Sequence, residues 1–325
     1  MKLPSASIVS LLPAATEIVW SLGLGERLVG RSHECDVPES VLRLPTLTRP
    51  RVDPAASSRA IHQAIEGVLT DSTNAATSLF ELDIAGLAAL RPDVILTQAT
   101  CEVCAISGAD VDEALRGSGH QPRIVPLSAT TLAGLWADVL AVGAATGTLA
   151  RAREVVAKLR ARCDSVRCRT AVLSRSRAAR PLVAMIEWLD PPMAAGNWVP
   201  ELVHLAGGND CLGRVGEHSH WIDWHAVAAA DPDVIILAPC GFTLDRTLRE
   251  AATTDVRGPL TQTRAAREGR LWVMDGHHLL NRPGPRLVDS LEVLASILYP
   301  GQFNVQAARS FARPLTREDH GSSVS

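Results

Sequence analysis

Leu87-Ala88-Ala89-Leu90-Arg91-Pro92-Asp93-Val94-Ile95-Leu96 and Val227-Ala228-Ala229-Ala230-Asp231-Pro232-Asp233-Val234-Ile235-Ile236-Leu237 follow one plan. Each is a short helical run, a Pro-Asp turn and a strand made of β-branched and aliphatic residues. A second pair of segments matches in the same way. Residues 8–12 read as a strand, Pro13 as a turn, and 14–22 as a helix closed by Gly23. Residues 182–187 read as a strand, Pro191-Pro192 as a loop, and 199–206 as a helix closed by Gly207-Gly208. Short apolar strands alternating with helices build a parallel sheet covered by helices on both faces. The fold class is α/β, and meeting the unit twice predicts two lobes.

Between the lobes the apolar spacing predicts a helix over 132–145, an interruption at Gly147, and a second helix over 148–167. About 20 residues of helix span ~30 Å, which suits a stiff rod joining the lobes. The competing arrangement makes it one more packing helix of a single large domain. The expected organisation is an N-terminal lobe over 1–130, a helical connector over 131–179, a C-terminal lobe over 180–307 and a flexible tail over 308–325. Ligands of open α/β sheets sit beyond the carboxyl ends of the strands. The segments expected there are 13–16, 33–36, 98–107, 188–198, 239–242 and 277–286, dense in Pro, Gly, His, Trp and Cys. They predict a ligand cleft between the lobes.

Composition narrows the function. The 325 residues are 46% hydrophobic and 21% charged, which excludes a disordered chain and allows a large core. With 32 basic and 35 acidic residues the net charge is -3, so no bulk field favours nucleic acid. No apolar run reaches the ~18–20 residues of a membrane helix. The N-terminus passes at once from Lys2-Leu3-Pro4-Ser5 into the first strand and lacks a secretory signal's apolar stretch; the expected location is the cytoplasm. There is no P-loop, no G-x-G-x-x-G and no G-x-S-x-G elbow, so binding without catalysis is expected; the alternative is a Cys/His metal or thiol-redox protein, an enzyme included, on the same fold.

Ser10-Leu11-Leu12-Pro13-Ala14-Ala15-Thr16-Glu17-Ile18-Val19, the following Leu22-Gly23-Leu24-Gly25, and the two Pro-Asp-Val-Ile strands together resemble the iron-siderophore and vitamin B12 substrate-binding proteins of ABC importers. The resemblance runs over 8–300. His33-Glu34-Cys35-Asp36, Thr97-Gln98 with Cys101-Glu102-Val103-Cys104, Glu187-Trp188, Trp198-Val199-Pro200-Glu201 and Asn281-Arg282-Pro283-Gly284-Pro285-Arg286 resemble the cobalamin-binding branch. The resemblance implies a periplasmic-binding fold with a backbone helix, little hinge motion, and one large ligand, a cobalamin or other corrinoid, or a related heme or iron chelate. It also implies a glutamate on each lobe that docks on a permease. Ala85 and His225 stand at the matching positions, so permease docking is not expected; the partner is a small-molecule metal chelate.

The expected ligand contacts are Pro13, Thr16, His33, Gln98, Trp188, Trp198, Gly241, Phe242 and Arg282. Indole offers a flat apolar face and one donor to a large ring; the alternative is that the tryptophans anchor their loops. Arg282 suits amides, phosphate or carboxylate. Cys101-x-x-Cys104 has metal or redox spacing, and Cys35, with His33 beside it, could complete a thiolate-rich site or a switchable disulfide. The plainer alternative is buried packing by small residues. His218, His220, His225, His277 and His278 form two clusters able to ligate cobalt or another transition metal, with solvated loops as the ordinary alternative. Asp275-Gly276-His277 falls short of the corrinoid-enzyme D-x-H-x-x-G motif because Leu280 stands at its last position.

Overall fold

The computed structural model describes residues 6–70, 79–99, 106–116, 119–175, 179–254, 257–303 and 308–316. The chain divides into two compact units, Met1–Ala56 with Gln63–Leu159, and Ser57–His62 with Arg160–Ser325. None of the described helices is long and apolar enough to cross a membrane.

The first unit is built on a four-stranded parallel sheet. Its strands are β1 (Ile8–Ser10), β2 (Leu28–Arg31), β5 (Val94–Gln98) and β6 (Arg123–Leu127), in the order β2-β1-β5-β6. Strands β3 (Thr48–Pro50) and β4 (Phe80–Leu82) form a separate antiparallel pair. The helices are α1 (Pro13–Ser21), most of α2 (Ser58–Thr70), α3 (Ile84–Leu90), α4 (Gly108–Ala114) and α5 (Leu132–Ala145). Val9, Leu11, Leu47, Leu87, Ile95 and Val111 meet in the core. Val94, Ile95 and Leu96 are at most 2% exposed, as a strand covered on both faces requires.

The second unit holds β7 (Leu182–Leu189), β8 (Pro192–Ala194), β9 (Asn209–Asp210), β10 (His220–Trp221), β11 (Val234–Leu237), β12 (Leu271–Met274) and β13 (Ala312–Pro314). The order is β10-β8-β7-β11-β12-β13, with β9 paired to β7. Strands β7, β11 and β12 run parallel, while β8, β10 and β13 are antiparallel additions at the two edges. The helices are α7 (Val199–Leu205), α8 (Trp224–Ala230), α9 (Leu244–Thr253), α10 (Arg257–Leu260), α11 (Arg264–Arg267) and α12 (Leu287–Leu298).

Both Pro-Asp turns do the same work. The helix before each ends on a left-handed residue, Arg91 at φ 45° and Asp231 at φ 42°. The aspartate carboxylate then accepts from the first residue of the neighbouring strand region. Asp93 Oδ2 accepts Ser7 N at 2.7 Å and Ser7 Oγ at 2.9 Å, and Asp233 Oδ2 accepts Leu182 N at 2.8 Å. Ile8 thereby pairs with Val94 and Val183 with Val234.

Three elements depart from the sequence reading. The second connector helix, α6 (Leu149–Ser174), runs seven residues past Arg167, for ~39 Å. Its last turns are docked within the second unit: Thr170 is 2% exposed and donates to Leu205 O at 3.0 Å, and Ser174 Oγ lies 2.8 Å from the Tyr299 hydroxyl. The division of the chain falls inside this helix, after Leu159. The supposed loop after 187 is strand through Leu189 and folds back as β8, because the edge of β7 is paired there. Finally, part of the expected flexible tail is strand β13. It covers the edge of β12 that would otherwise leave backbone groups unpaired, and Leu315 donates to Leu271 O at 2.8 Å.

Asp233→Ala should remove the bond to Leu182 together with the Arg264 ion pair at 2.5 Å. We expect a loss of about 1–3 kcal/mol, measured by urea unfolding.

Candidate functional site

The carboxyl ends of β1, β2 and β5 carry the predicted first-lobe residues. Pro13 opens α1 behind the N-cap Leu12, where its missing N–H costs nothing. Thr16 is fully buried one turn on; its hydroxyl donates to Ser10 Oγ at 2.8 Å and lies 3.0 Å from Cys35 Sγ. Cys35 is also fully buried. Thr16 and Cys35 therefore sit together beneath this surface, and Cys101 and Cys104 lie outside the described residues. Arg31 clamps the loop by donating to Ser32 O, His33 O and Cys35 O at 3.0–3.5 Å.

His33 is partly buried against Phe80, ring centroids 4.8 Å apart. Burial, and then the Arg31 charge, lower its pKa to about 4, so the imidazole is neutral at pH 7. Thr48 Oγ1 gives its proton to Ser32 Oγ and lies 2.7 Å from His33 Nδ1. His33 Nδ1 is then the donor and Nε2 carries the lone pair. Gln98 ends β5 opposite Leu127 and is partly exposed.

In the second unit, Trp188 ends β7 and Phe242 follows β11, their rings 5.4 Å apart in edge contact. Phe242 is 1% exposed, with the Arg246 guanidinium 3.5 Å from its ring centroid, and Gly241 holds φ 74° before it. Both predicted tryptophan contacts are largely buried and use their N–H groups locally. Trp198 Nε1 donates to Leu280 O at 2.7 Å, and Trp188 Nε1 to Ser58 O at 3.2 Å.

That second bond belongs to a segment the sequence did not reveal as part of this unit. The first turn of α2 is fixed by Glu250, which accepts Ser58 N at 2.7 Å and Ser58 Oγ at 2.5 Å. Arg59 pairs with Asp190 at 2.8 Å, and the His62 ring packs on Trp221 at 4.7 Å. Partners so distant in sequence leave no spacing signal.

Beyond β12 the chain makes a π turn over Gly276–Leu280. A Cβ on Gly276 would fall 2.2 Å from Pro239 O, so only glycine fits. Asp275 is 4% exposed and accepts His278 N at 2.7 Å and His278 Nδ1 at 2.9 Å. Burial pushes the Asp275 carboxyl up, but the bonds from the His278 ring and backbone outweigh it and hold the carboxyl below its usual range. Arg282, predicted to meet ligand, is 4% exposed and lies 2.8 Å from His277 Nε2. A guanidinium only donates, so His277 Nε2 accepts. The sequence pointed to both histidines without separating their roles; the Asp275-x-x-His278 cap was the signal.

Glu187 completes this face. Its Oε2 accepts from Ser219 Oγ at 3.0 Å, and Ser219 in turn accepts Gly196 N at 3.1 Å. The two loops are further tied by Asn197 N to Glu217 O at 2.6 Å. Burial raises the Glu187 pKa to about 7, opposed by hydrogen bonding from the Ser219 hydroxyl and the Gly196 N–H.

A family model described as "Periplasmic binding protein" matches residues 8–276. The chain belongs to that family. Its members bind a substrate without transforming it, and no enzymatic step is assigned to this chain. Among curated proteins, the ABC transporter substrate-binding lipoprotein YvrC of Bacillus subtilis (strain 168) is 21% identical over 301 residues, 91% of this chain and 81% of that protein. A periplasmic heme binding protein from Pseudomonas aeruginosa is similar at TM-score 0.70 and 25% identity, covering 97% of this chain and 96% of that one. The periplasmic vitamin B12 binding protein BtuF of Vibrio cholerae is similar at TM-score 0.65 and 20% identity, covering 91% and 97%. The two-lobe α/β expectation agrees with these structures. The cytoplasmic placement draws no support from them, since the curated relative is a lipoprotein.

Glu187 yields a pH test. A carboxyl whose folded pKa exceeds its unfolded value binds more protons when folded, so stability falls as pH rises from about 4.5 through about 7. Glu187→Gln should flatten this slope. Its unfolding free energy relative to wild type, measured by urea unfolding, should rise between pH 5 and pH 8, by a few kcal/mol at most at ~1.4 kcal/mol per pH unit.

Proposed function

We propose that this chain binds a planar metal chelate of the tetrapyrrole class, a cobalamin-like corrinoid or heme. The observation that carries the reading is the carboxyl-end face of the second unit, where Trp188, Phe242, the histidine pair and Arg282 gather on a parallel sheet. A broad conjugated ring bearing polar substituents suits aromatic surfaces flanked by a few fixed polar groups. In this unit we assign contacts to Trp188, Trp198, Gly241, Phe242 and Arg282; Pro13, His33 and Gln98 are the first unit's own candidates, with Thr16 beneath the surface that carries them. The relatives named as binding heme and vitamin B12 support the same class of ligand.

Two narrower readings follow. The thiol or metal alternative centres on Cys35, whose complete burial against Thr16 favours packing over ligation. Ala85 and His225 are exposed just after the capping aspartates Asp83 and Asp223 of α3 and α8. A methyl and an imidazole there offer a permease arginine no carboxylate, so any docking at these two points would lack the salt bridge.

Titration of purified protein with hydroxocobalamin, cyanocobalamin and ferric heme, followed by absorbance and calorimetry, tests the reading. We expect saturable binding of at least one at micromolar or lower concentration. Trp188→Ala should weaken it about tenfold, ~1.4 kcal/mol, and Trp188→Phe should weaken it less. No uptake of any of the three at ~10 μM, where a Kd of 1 μM already gives near-saturation, would overturn it.

A further inference from the structure

We propose that the first turn of α2, Ser57–His62, is a displaceable cover on the aromatic face of the second unit, and that ligand competes with it for the indole N–H of Trp188. The inference rests on the chelate reading above and adds how that face is regulated.

The aromatic residues assigned to ligand are closed off as they stand. Trp188 is 8% exposed and Phe242 1%, so neither ring presents an open face to a planar chelate. The Arg246 guanidinium sits 3.5 Å from the Phe242 centroid. The Trp188 N–H, the one polar group of that ring, donates to Ser58 O at 3.2 Å. A ligand that uses this donor has to take it from Ser58.

The turn is built to come away at low cost. Ser58 and Ile61 are buried and His62 half-buried, whereas Ser57, Arg59 and Ala60 are exposed, so little apolar surface holds it down. Residues 53–55, which lead into it, are exposed as well. The hold is polar and centred on one carboxylate. Glu250 accepts Ser58 N at 2.7 Å and Ser58 Oγ at 2.5 Å, and so takes up a backbone N–H that the start of a helix leaves without an intrahelical acceptor. The Arg59–Asp190 pair at 2.8 Å adds little, because the arginine side chain is 67% exposed. His62 meets Trp221, itself 53% exposed. Glu250 and Arg246 lie four apart on α9, so one side of that helix carries both the clamp on the cover and the cation over Phe242. Release of Ser58 from Glu250 frees the Trp188 N–H for a ligand oxygen, the acceptor that the amide or carboxylate side chains of such chelates carry.

The test follows two protons that the cover shields, the Ser58 amide and the Trp188 indole N–H, by hydrogen exchange in nuclear magnetic resonance. The probes are hydroxocobalamin and gallium(III) protoporphyrin, a diamagnetic stand-in for ferric heme. In ligand-free protein Glu250→Ala should speed exchange at both positions about tenfold with unchanged circular dichroism. A tenfold larger open fraction should tighten chelate binding up to tenfold. Arg59→Ala should move both readings the same way by less. In wild type, saturating chelate should speed exchange of the Ser58 amide, a readout that needs no variant. A Ser58 amide whose exchange slows or stays the same in the saturated complex overturns the inference and leaves the chelate reading standing. Glu250→Ala protein that exchanges faster yet binds no tighter does the same. Failure of wild type to bind either probe or ferric heme overturns the chelate reading; the cover then stands if Glu250→Ala speeds exchange of the Trp188 indole N–H and falls if it does not.

Discussion

The constraint on which both units depend is the carboxylate after each proline. In a parallel sheet the first strand has no hairpin partner to set its register, and its leading N–H has no intrinsic acceptor. Asp93 and Asp233 provide that acceptor, at Ser7 and Leu182. Each aligns the strand after the Pro-Asp turn with the strand that begins its unit. Because side chains alternate along a strand, one residue of slip would turn Val94–Leu96 or Val234–Leu237 the wrong way. The carboxyl-end loops are placed by that register, so the chemistry of each unit rests on one aspartate at the opposite end of its sheet.

The loops are then fixed one by one. Arg31 gathers three carbonyls under 31–36, Trp198 holds the π turn through Leu280 O, and Asn197 and Ser219 tie 195–197 to 216–219. Glu250 and Asp190 hold the first turn of α2. Polar groups taken out of water are costly unless bonded, and here the bonds tie loop to loop. Such preorganisation is what a binding surface needs if little of its interaction is to be consumed in ordering it.

The paired Pro-Asp strands, the alternation of apolar strands with helices, and the long helix were legible because each is local: a period, a turn, a run. The tryptophans were legible as special residues but not as to where their N–H groups go, since Ser58 and Leu280 are 130 and 82 residues away. The same distance hid the first turn of α2. Strand β13 was hidden because Ala312–Pro314 has no apolar alternation of its own; the edge of β12 makes it a strand.

The histidine pair marks the boundary most clearly. Residue order alone put two imidazoles after a predicted strand and an aspartate before them, and determined an α/β chain in two halves with aromatic and polar residues at its strand ends. Which nitrogen carries a lone pair was settled only when the fold brought Asp275 behind one ring and Arg282 beside the other. Periodicity records which residues are buried, because hydrophobic burial is non-directional and averages over many neighbours. Hydrogen bonds are directional and act between single atoms, so their pairing exists only once distant segments have met.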